Sequence, residues 1–223
     1  MFEGDFFSGL YTSIRGRLFL FLDFIYTIFA YWRDFRFFKI DFSVLKNYFW
    51  KSPYRIVREL SLGTYGETPL KTMAKIAKEL ELTKDDHFIE MGSGRGRCAL
   101  WLSHFIGCSV LGIELIPKFV KVAKGVVEEY DLKNCYFSCE DYFDTDVSNA
   151  SHIYLYDPGL TESSIHNLTM LLKKASPGTK IITVSFSLGE YFPEKEWFSV
   201  EKEFSVSFPW GKTTAYIQKR SNS

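Results

Sequence analysis

The stretch His87-Phe88-Ile89-Glu90-Met91-Gly92-Ser93-Gly94-Arg95-Gly96-Arg97 decides how the rest of the chain is read. His87–Met91 reads as a short strand and Arg97–Phe105 as a helix, with glycines at alternate positions between them. Glycine lets the backbone turn sharply and approach a ligand where a Cβ would clash. The helix beyond offers unpaired N–H groups at its start. Dinucleotide folds space these glycines as G-x-G-x-x-G. Here that last position is Arg97, and the third glycine comes one residue earlier, at Gly96. Glu90, two residues ahead of the first glycine, would repel a pyrophosphate. It suits a cationic ligand such as the methionine end of S-adenosylmethionine (SAM), met directly or through water.

Working outward, Ser109–Ile113, Cys135–Cys139, Ile153–Tyr156 and Lys180–Phe186 read as further strands, and Pro117–Tyr130 and Glu162–Lys174 as helices. Strands alternating with helices predict a parallel sheet covered on both faces. The chain then changes habit. Ser199–Phe208 and Lys212–Lys219, joined by Pro209-Trp210-Gly211, predict an antiparallel hairpin. The expected fold is α/β: a Rossmann-like, seven-stranded, mostly parallel sheet with a C-terminal hairpin. Upstream, Thr68-Pro69 reads as a helix start, with an N-cap hydroxyl and proline at the first helical position. Met73, Ile76, Ala77 and Leu80 follow at helical spacing.

The strand ends supply a nucleoside site. Glu114 closes the second strand, 22 residues after Gly92, where an acid accepts both ribose hydroxyls. Asp141 follows the third strand and is placed to accept from the adenine amino group, with Tyr142 and Phe143 as walls for the base. Gly92, Ser93, Gly94 and Gly96 lie under the cofactor. Arg95 and Arg97 read two ways, as contacts of the SAM carboxylate or as residues solvated at a helix start.

Two segments carry a family likeness. Tyr65-Gly66-Glu67-Thr68, a helix, and then Asp85-Asp86-x-Phe88-Ile89-Glu90-Met91-Gly92-Ser93-Gly94 resemble the non-SET histone-lysine methyltransferases of the disruptor-of-telomeric-silencing family. These belong to the class I SAM-dependent methyltransferases, which the chain resembles over roughly residues 65–219. The resemblance implies that Tyr65, Gly66, Glu67 and Thr68 close over SAM, with the acid contacting the cofactor. Thr68 as a plain helix cap is the other reading of that loop. Where the family carries an Asn-Asn-Phe type segment after its fourth strand, this chain has Tyr156-Asp157-Pro158-Gly159. The family's long basic tails are missing.

Methyl transfer from a sulfonium is an in-line displacement, so the protein's task is to hold the acceptor lone pair on axis about 3 Å from the methyl carbon. Tyr154, Tyr156 and Asp157 end the fourth strand, where the acceptor arrives. Alternation puts both tyrosines on one face. Tyr156 is expected to line the acceptor channel. Asp157 either orients the acceptor and receives its proton or is a turn acid before Pro158, and Tyr154 is expected to pack in the core. Trp210 is expected to pack in the hairpin, and the four histidines to be structural or surface residues.

Composition bounds the rest. With 27 basic and 27 acidic residues in 223, no whole-molecule basic field exists to hold nucleic acid. The cysteines, Cys98, Cys108, Cys135 and Cys139, form no CxxC pair and no metal set, and read as free thiols in a reducing, cytoplasmic setting. Residues 1–62 read as an aromatic helical extension ahead of a SAM-binding domain at 63–223; 12 of the 22 Phe fall in the first fifty residues. Its most apolar run, Leu18–Trp32, is fifteen residues with Asp23 inside, too short for a bilayer core of about 30 Å. Packing on the domain, a homo-oligomer interface and peripheral membrane contact are the readings kept for it. The function expected is SAM-dependent methylation of a protein lysine. A small-molecule or lipid-precursor methyltransferase and a non-catalytic SAM-binding scaffold are the alternatives.

Overall fold

The structure, a computed structural model, describes residues 21, 25–29, 31, 34–62, 64–191 and 196–221. Most of the apolar run 18–32 lies outside them. The strands are β1 (His87–Met91), β2 (Ser109–Glu114), β3 (Cys135–Cys139), β4 (His152–Leu155), β5 (Lys180–Val184), β6 (Phe198–Phe208) and β7 (Gly211–Arg220). They form one sheet in the order β3-β2-β1-β4-β5-β7-β6. The first five are parallel, and β7 pairs antiparallel with both β5 and β6. The expected seven-stranded, mostly parallel sheet with its terminal hairpin is the observed one.

The helices whose bounds fall among the described residues are α1 (Phe35–Leu45), α2 (Pro53–Glu59), α3 (Leu70–Glu79), α4 (Arg97–Phe105), α5 (Pro117–Glu129) and α6 (Glu162–Leu172). Strand alternation sorts the core. Phe88, Val110, Tyr154, Ile182 and Ala215 face a cluster that takes in side chains of α1 through α5. Ile89, Ile153, Leu155 and Ile181 face the other way, against Leu168, Leu171 and Leu172 of α6. Glu90 shares the face of Phe88, which sets a carboxylate among the helices of the more heavily covered side.

Two departures from the sequence reading bear on the site. β4 stops at Leu155, so Tyr156 and Asp157 sit beyond the strand rather than on it. α3 starts at Leu70 with Pro69 as its cap and no side-chain capping bond. Thr68 Oγ1 instead shares a hydrogen bond of 2.6 Å with the Tyr154 hydroxyl. Thr68 is therefore not a helix cap.

Residues 34–62 pack on the α/β body. Phe37, Ile40, Val44, Tyr48, Ile56 and Val57 belong to the same buried cluster as α3, α4 and α5. Polar pairs hold the seam: the Asp34 carboxylate meets His104 Nε2 at 2.8 Å, and Arg36 donates to the Tyr130 carbonyl at 2.9 Å. Trp101 Nε1 donates to the Tyr31 hydroxyl at 2.7 Å. Among the described residues, no helix is long and apolar enough to cross a membrane.

Candidate functional site

β2 and β4 flank β1, so the chain winds away from β1 in both directions, and a crevice opens past the carboxyl ends of these strands. The glycine loop forms its floor. Gly92, Gly94 and Gly96 all take positive φ, +72°, +55° and +79°. Gly94 also lies directly under Tyr65; a Cβ there would stand 2.9 Å from the tyrosine hydroxyl. A Cβ on Gly96 would stand 2.6 Å from the Phe137 ring, behind the loop.

Glu114 fixes the loop from the β2 side. Its Oε2 accepts from the Gly94 amide and its Oε1 from the Ile116 amide, both at 2.8 Å. It is buried, and burial holds its carboxyl above the usual range despite these two donors.

The crevice has two lobes that share Gly66, Gly92 and Tyr156. The inner lobe is lined by Glu67, Thr68, Glu90, Ser93, Gly94 and Arg95. It is the smaller, about 390 Å³ against about 670 Å³, each measured out to its open side. Arg95 is 1% exposed and makes a two-pronged ion pair with Glu67, which also accepts from the Tyr65 hydroxyl at 2.5 Å. Burial works to raise the Glu67 pKa, but the charge and hydrogen bonds of Arg95 outweigh it and hold the carboxyl below its ordinary value. Arg97 is also buried, with its guanidinium on Asp41 of α1 at 2.6 Å. Neither arginine is solvated at the helix start.

Glu90 is the outlier. Burial, with added repulsion from Glu114 and Glu67, pushes its pKa up to about 8. Its Oε2 has no hydrogen-bond partner, and neither have Ser93 Oγ and Arg95 Nη1. Buried polar atoms are almost always paired. Ser93 Oγ lies behind the loop against Gly112, but Glu90 Oε2 and Arg95 Nη1 are atoms that a cofactor with charged groups would satisfy, so the inner lobe fits the amino-acid end of SAM.

The outer lobe is lined by Tyr65, Glu114, Ile116, Tyr142, Asp157 and Pro158. Asp157 accepts from the Gly159 amide at 2.8 Å, as a turn acid does, and from the Tyr142 hydroxyl at 3.3 Å. Tyr142 thus stands in the crevice wall, whereas its neighbours do not. Asp141 spends its Oδ1 on the Phe143 amide at 3.0 Å, and Phe143 packs in the core on the α6 side. Neither residue lines a lobe.

Tyr156 packs against Phe208, with ring centroids 4.4 Å apart, and its hydroxyl accepts from Trp210 Nε1 at 2.8 Å. Trp210 is 57% exposed. It stacks on Phe208 of the hairpin, with ring centroids 5.5 Å apart, and its indole N–H also reaches Tyr156 at the crevice. A tryptophan in a two-residue hairpin turn, where small residues are usual, was the signal available in the sequence. Tyr154 is buried in the core as expected.

A glycine loop after β1, an acid ending β2 and a C-terminal hairpin define a class I SAM-dependent methyltransferase, and solved structures agree. A crystal structure of an RNA methyltransferase from Salinibacter ruber in complex with S-adenosyl-L-homocysteine superposes with a TM-score of 0.58 and 25% identity, covering 70% of this chain and 95% of that one. A variant of MtNAS in complex with S-adenosylmethionine gives 0.54 at 14% identity, covering 68% and 61%. The B. subtilis tRNA methyltransferase TrmK gives 0.53 at 13% identity, covering 68% and 66%. The last two speak to fold alone. Residues 55–190 match the family of the histone methylation protein DOT1, and the chain belongs to that family. No curated relative matches it. The protein is a SAM-dependent methyltransferase with S-adenosyl-L-methionine as its cofactor.

Proposed function

We propose that the acceptor is a lysine side chain of a protein. The observation that carries this reading is the family match over residues 55–190, a span that takes in Tyr65–Thr68 and the glycine loop. The crevice is consistent with it. On this reading the inner lobe takes the methionine half of SAM, with Glu90 toward its cationic groups. The outer lobe takes the nucleoside, with Glu114 toward the ribose and Tyr142 beside the base. Asp141 lines neither lobe, and with Oδ1 on the Phe143 amide its Oδ2 is the atom left to accept from the adenine amino group.

When bound, SAM supplies an electrophilic methyl whose sulfur leaves with the bonding electron pair. The chain's own residues must present a neutral amine to it. An aromatic mouth formed by Tyr156, Phe208 and Trp210 excludes water from an alkyl-ammonium chain and favours its uncharged form. Asp157 stands beside Tyr156 with a carboxylate that can orient the amine and take its proton.

Incubation of a cell lysate with methyl-tritiated SAM and the purified enzyme tests the acceptor. A labelled protein band whose hydrolysate contains methyl-lysine is the expected result. Label confined to RNA or to the organic extract would overturn the lysine reading, and SAM binding without any transfer would overturn catalysis itself.

A further inference from the structure

α1 has two apolar faces, and the α/β body uses one of them. Phe37, Ile40 and Val44 point into the buried cluster. Phe35, Phe38 and Phe42 recur at spacings of three and four on the opposite side. Their rings form a ladder that Phe49 continues, with successive centroids 6.2, 6.3 and 6.1 Å apart. Phe35 and Phe49 are each 64% exposed, and Trp50, beside Phe49, is 94% exposed. Ahead of α1, Phe21 and Phe29 are exposed as well. A contiguous apolar patch on a surface marks an interaction site, whereas scattered apolar residues do not.

The charges on this face have one sign. Lys39 and Lys46 lie between the rings, both exposed. Lys39 Nζ stands 4.7 Å over the Phe35 ring, and Lys46 donates to the Ser43 hydroxyl; neither meets an acid among the described residues. The acids of the segment are engaged elsewhere, Asp34 with the Phe37 amide and His104, and Asp41 with Arg97. The complementary surface is therefore apolar and anionic. A second copy of the chain fits badly, because a two-fold contact through this face would set like charges against each other. A nucleic acid fits less well than a bilayer. The patch is built from phenylalanine and one tryptophan, and the sequence leading into it, Leu18–Trp32, holds a single charged residue, Asp23. Phosphate tracking needs a denser row of cations than that.

We propose that the outer face of α1, with Phe49 and Trp50, is a docking surface for an anionic lipid bilayer. The helix lies in the interface plane, the rings enter the headgroup boundary, and Lys39 and Lys46 extend to the lipid phosphates. The protein then rests on the membrane without crossing it. The same segment leads into α2, where Tyr54 packs on Tyr65 above the glycine loop, with centroids 5.1 Å apart. Docking thus holds the crevice close to the lipid surface, whatever the methyl acceptor is.

Flotation of the full chain with vesicles tests it. The wild type should float with equimolar phosphatidylcholine and phosphatidylglycerol, and rising salt should release it. Vesicles of phosphatidylcholine alone should bind it far less. Lys39→Gln with Lys46→Gln should weaken binding to the anionic vesicles about 25-fold, at about fivefold for each charge. Phe49→Ser with Trp50→Ser should weaken it about tenfold or more. All four side chains are exposed, so both variants should keep the wild-type melting temperature. Three results overturn the proposal. In the first, the wild type stays in the load fraction with anionic vesicles. In the second, it binds neutral and anionic vesicles equally, a comparison that needs no variant. In the third, both variants float as the wild type does. Without flotation, loss of a dimer in Phe49→Ser with Trp50→Ser would assign the face to a second copy, and loss of binding to a short RNA in the lysine variant would assign it to nucleic acid.

Discussion

Asp41 of α1 and Arg97, the first residue of α4, form a buried ion pair at 2.6 Å, with the two side chains 2% and 6% exposed. The pair ties α1 to the helix that follows the glycine loop. Two N–H groups of the guanidinium meet the two carboxylate oxygens, so the geometry is the bidentate kind that offsets desolvation best. Removing one partner strands the other charge. Asp41→Ala should therefore destabilise the protein by about 3–5 kcal/mol, read as a fall in urea midpoint. Replacing both residues, Asp41→Leu with Arg97→Met, should recover much of that loss. A single variant with near wild-type stability would show that α1 docks through its apolar face alone.

Glu90 should make the cofactor-free protein pH-sensitive. Its folded pKa, about 8, lies above the ordinary 4.5, so the folded state binds this proton more tightly than the unfolded state does. The stability tied to that proton is fully present below pH 4.5 and is lost as pH rises through 8. Glu90→Gln keeps the shape and removes the titration. It should raise the melting temperature at pH 8, on the order of several degrees, and change it little at pH 5. The same variant should weaken SAM binding at pH 8. A melting-temperature gain of equal size at both pH values would show that Glu90 acts through packing and not through its charge.

How far the sequence reached depends on the range of the forces concerned. The strand–glycine–helix unit from His87 to Phe105 was legible because its signals are local: alternation, a turn that needs positive φ, and a helix start. The hairpin was legible for the same reason. What was hidden were partnerships across the chain. Nothing near Arg95 in sequence says that Glu67, 28 residues earlier, will claim it. Thr68 looked like a cap because Pro69 follows it, but a tyrosine 86 residues away competes successfully for its hydroxyl. The place of Asp141 after β3 does not say that one of its two oxygens will cap the Phe143 amide. Strand ends could be located, whereas which way a side chain turns at a strand end could not.

Gly96 illustrates a constraint imposed from behind the loop. Its φ of +79° already disfavours other residues, and a Cβ would meet the Phe137 ring at 2.6 Å. A Cβ on Gly112 of β2 would meet the same ring, also at 2.6 Å, so Phe137 fills the space that two glycines vacate. Gly96→Ala should cost about 1–2 kcal/mol for the left-handed backbone, plus a steric part. Phe137→Leu in the same chain should relieve the steric part only, so a double-mutant cycle in thermal or urea unfolding should give a favourable coupling. Strict additivity would mean that the ring does not press on the loop.

Trp210 lines neither cofactor lobe, so it offers a test of the acceptor mouth through its contact with Tyr156. The indole N–H holds the Tyr156 hydroxyl, and Asp157 follows immediately in sequence. Trp210→Phe keeps an aromatic ring and deletes that donor. It should raise the KM for the acceptor and leave SAM affinity within about threefold, a change worth less than 1 kcal/mol. Asp157→Asn should instead lower kcat, by about 100-fold if the carboxylate takes the amine proton, and the defect should shrink as pH rises and more of the amine is already neutral in solution. Asparagine still presents an oxygen to the Gly159 amide, so the turn survives. Unchanged turnover across pH would leave Asp157 as the turn acid before Pro158 and nothing more. The mouth would then work by desolvation alone, through Tyr156, Phe208 and Trp210.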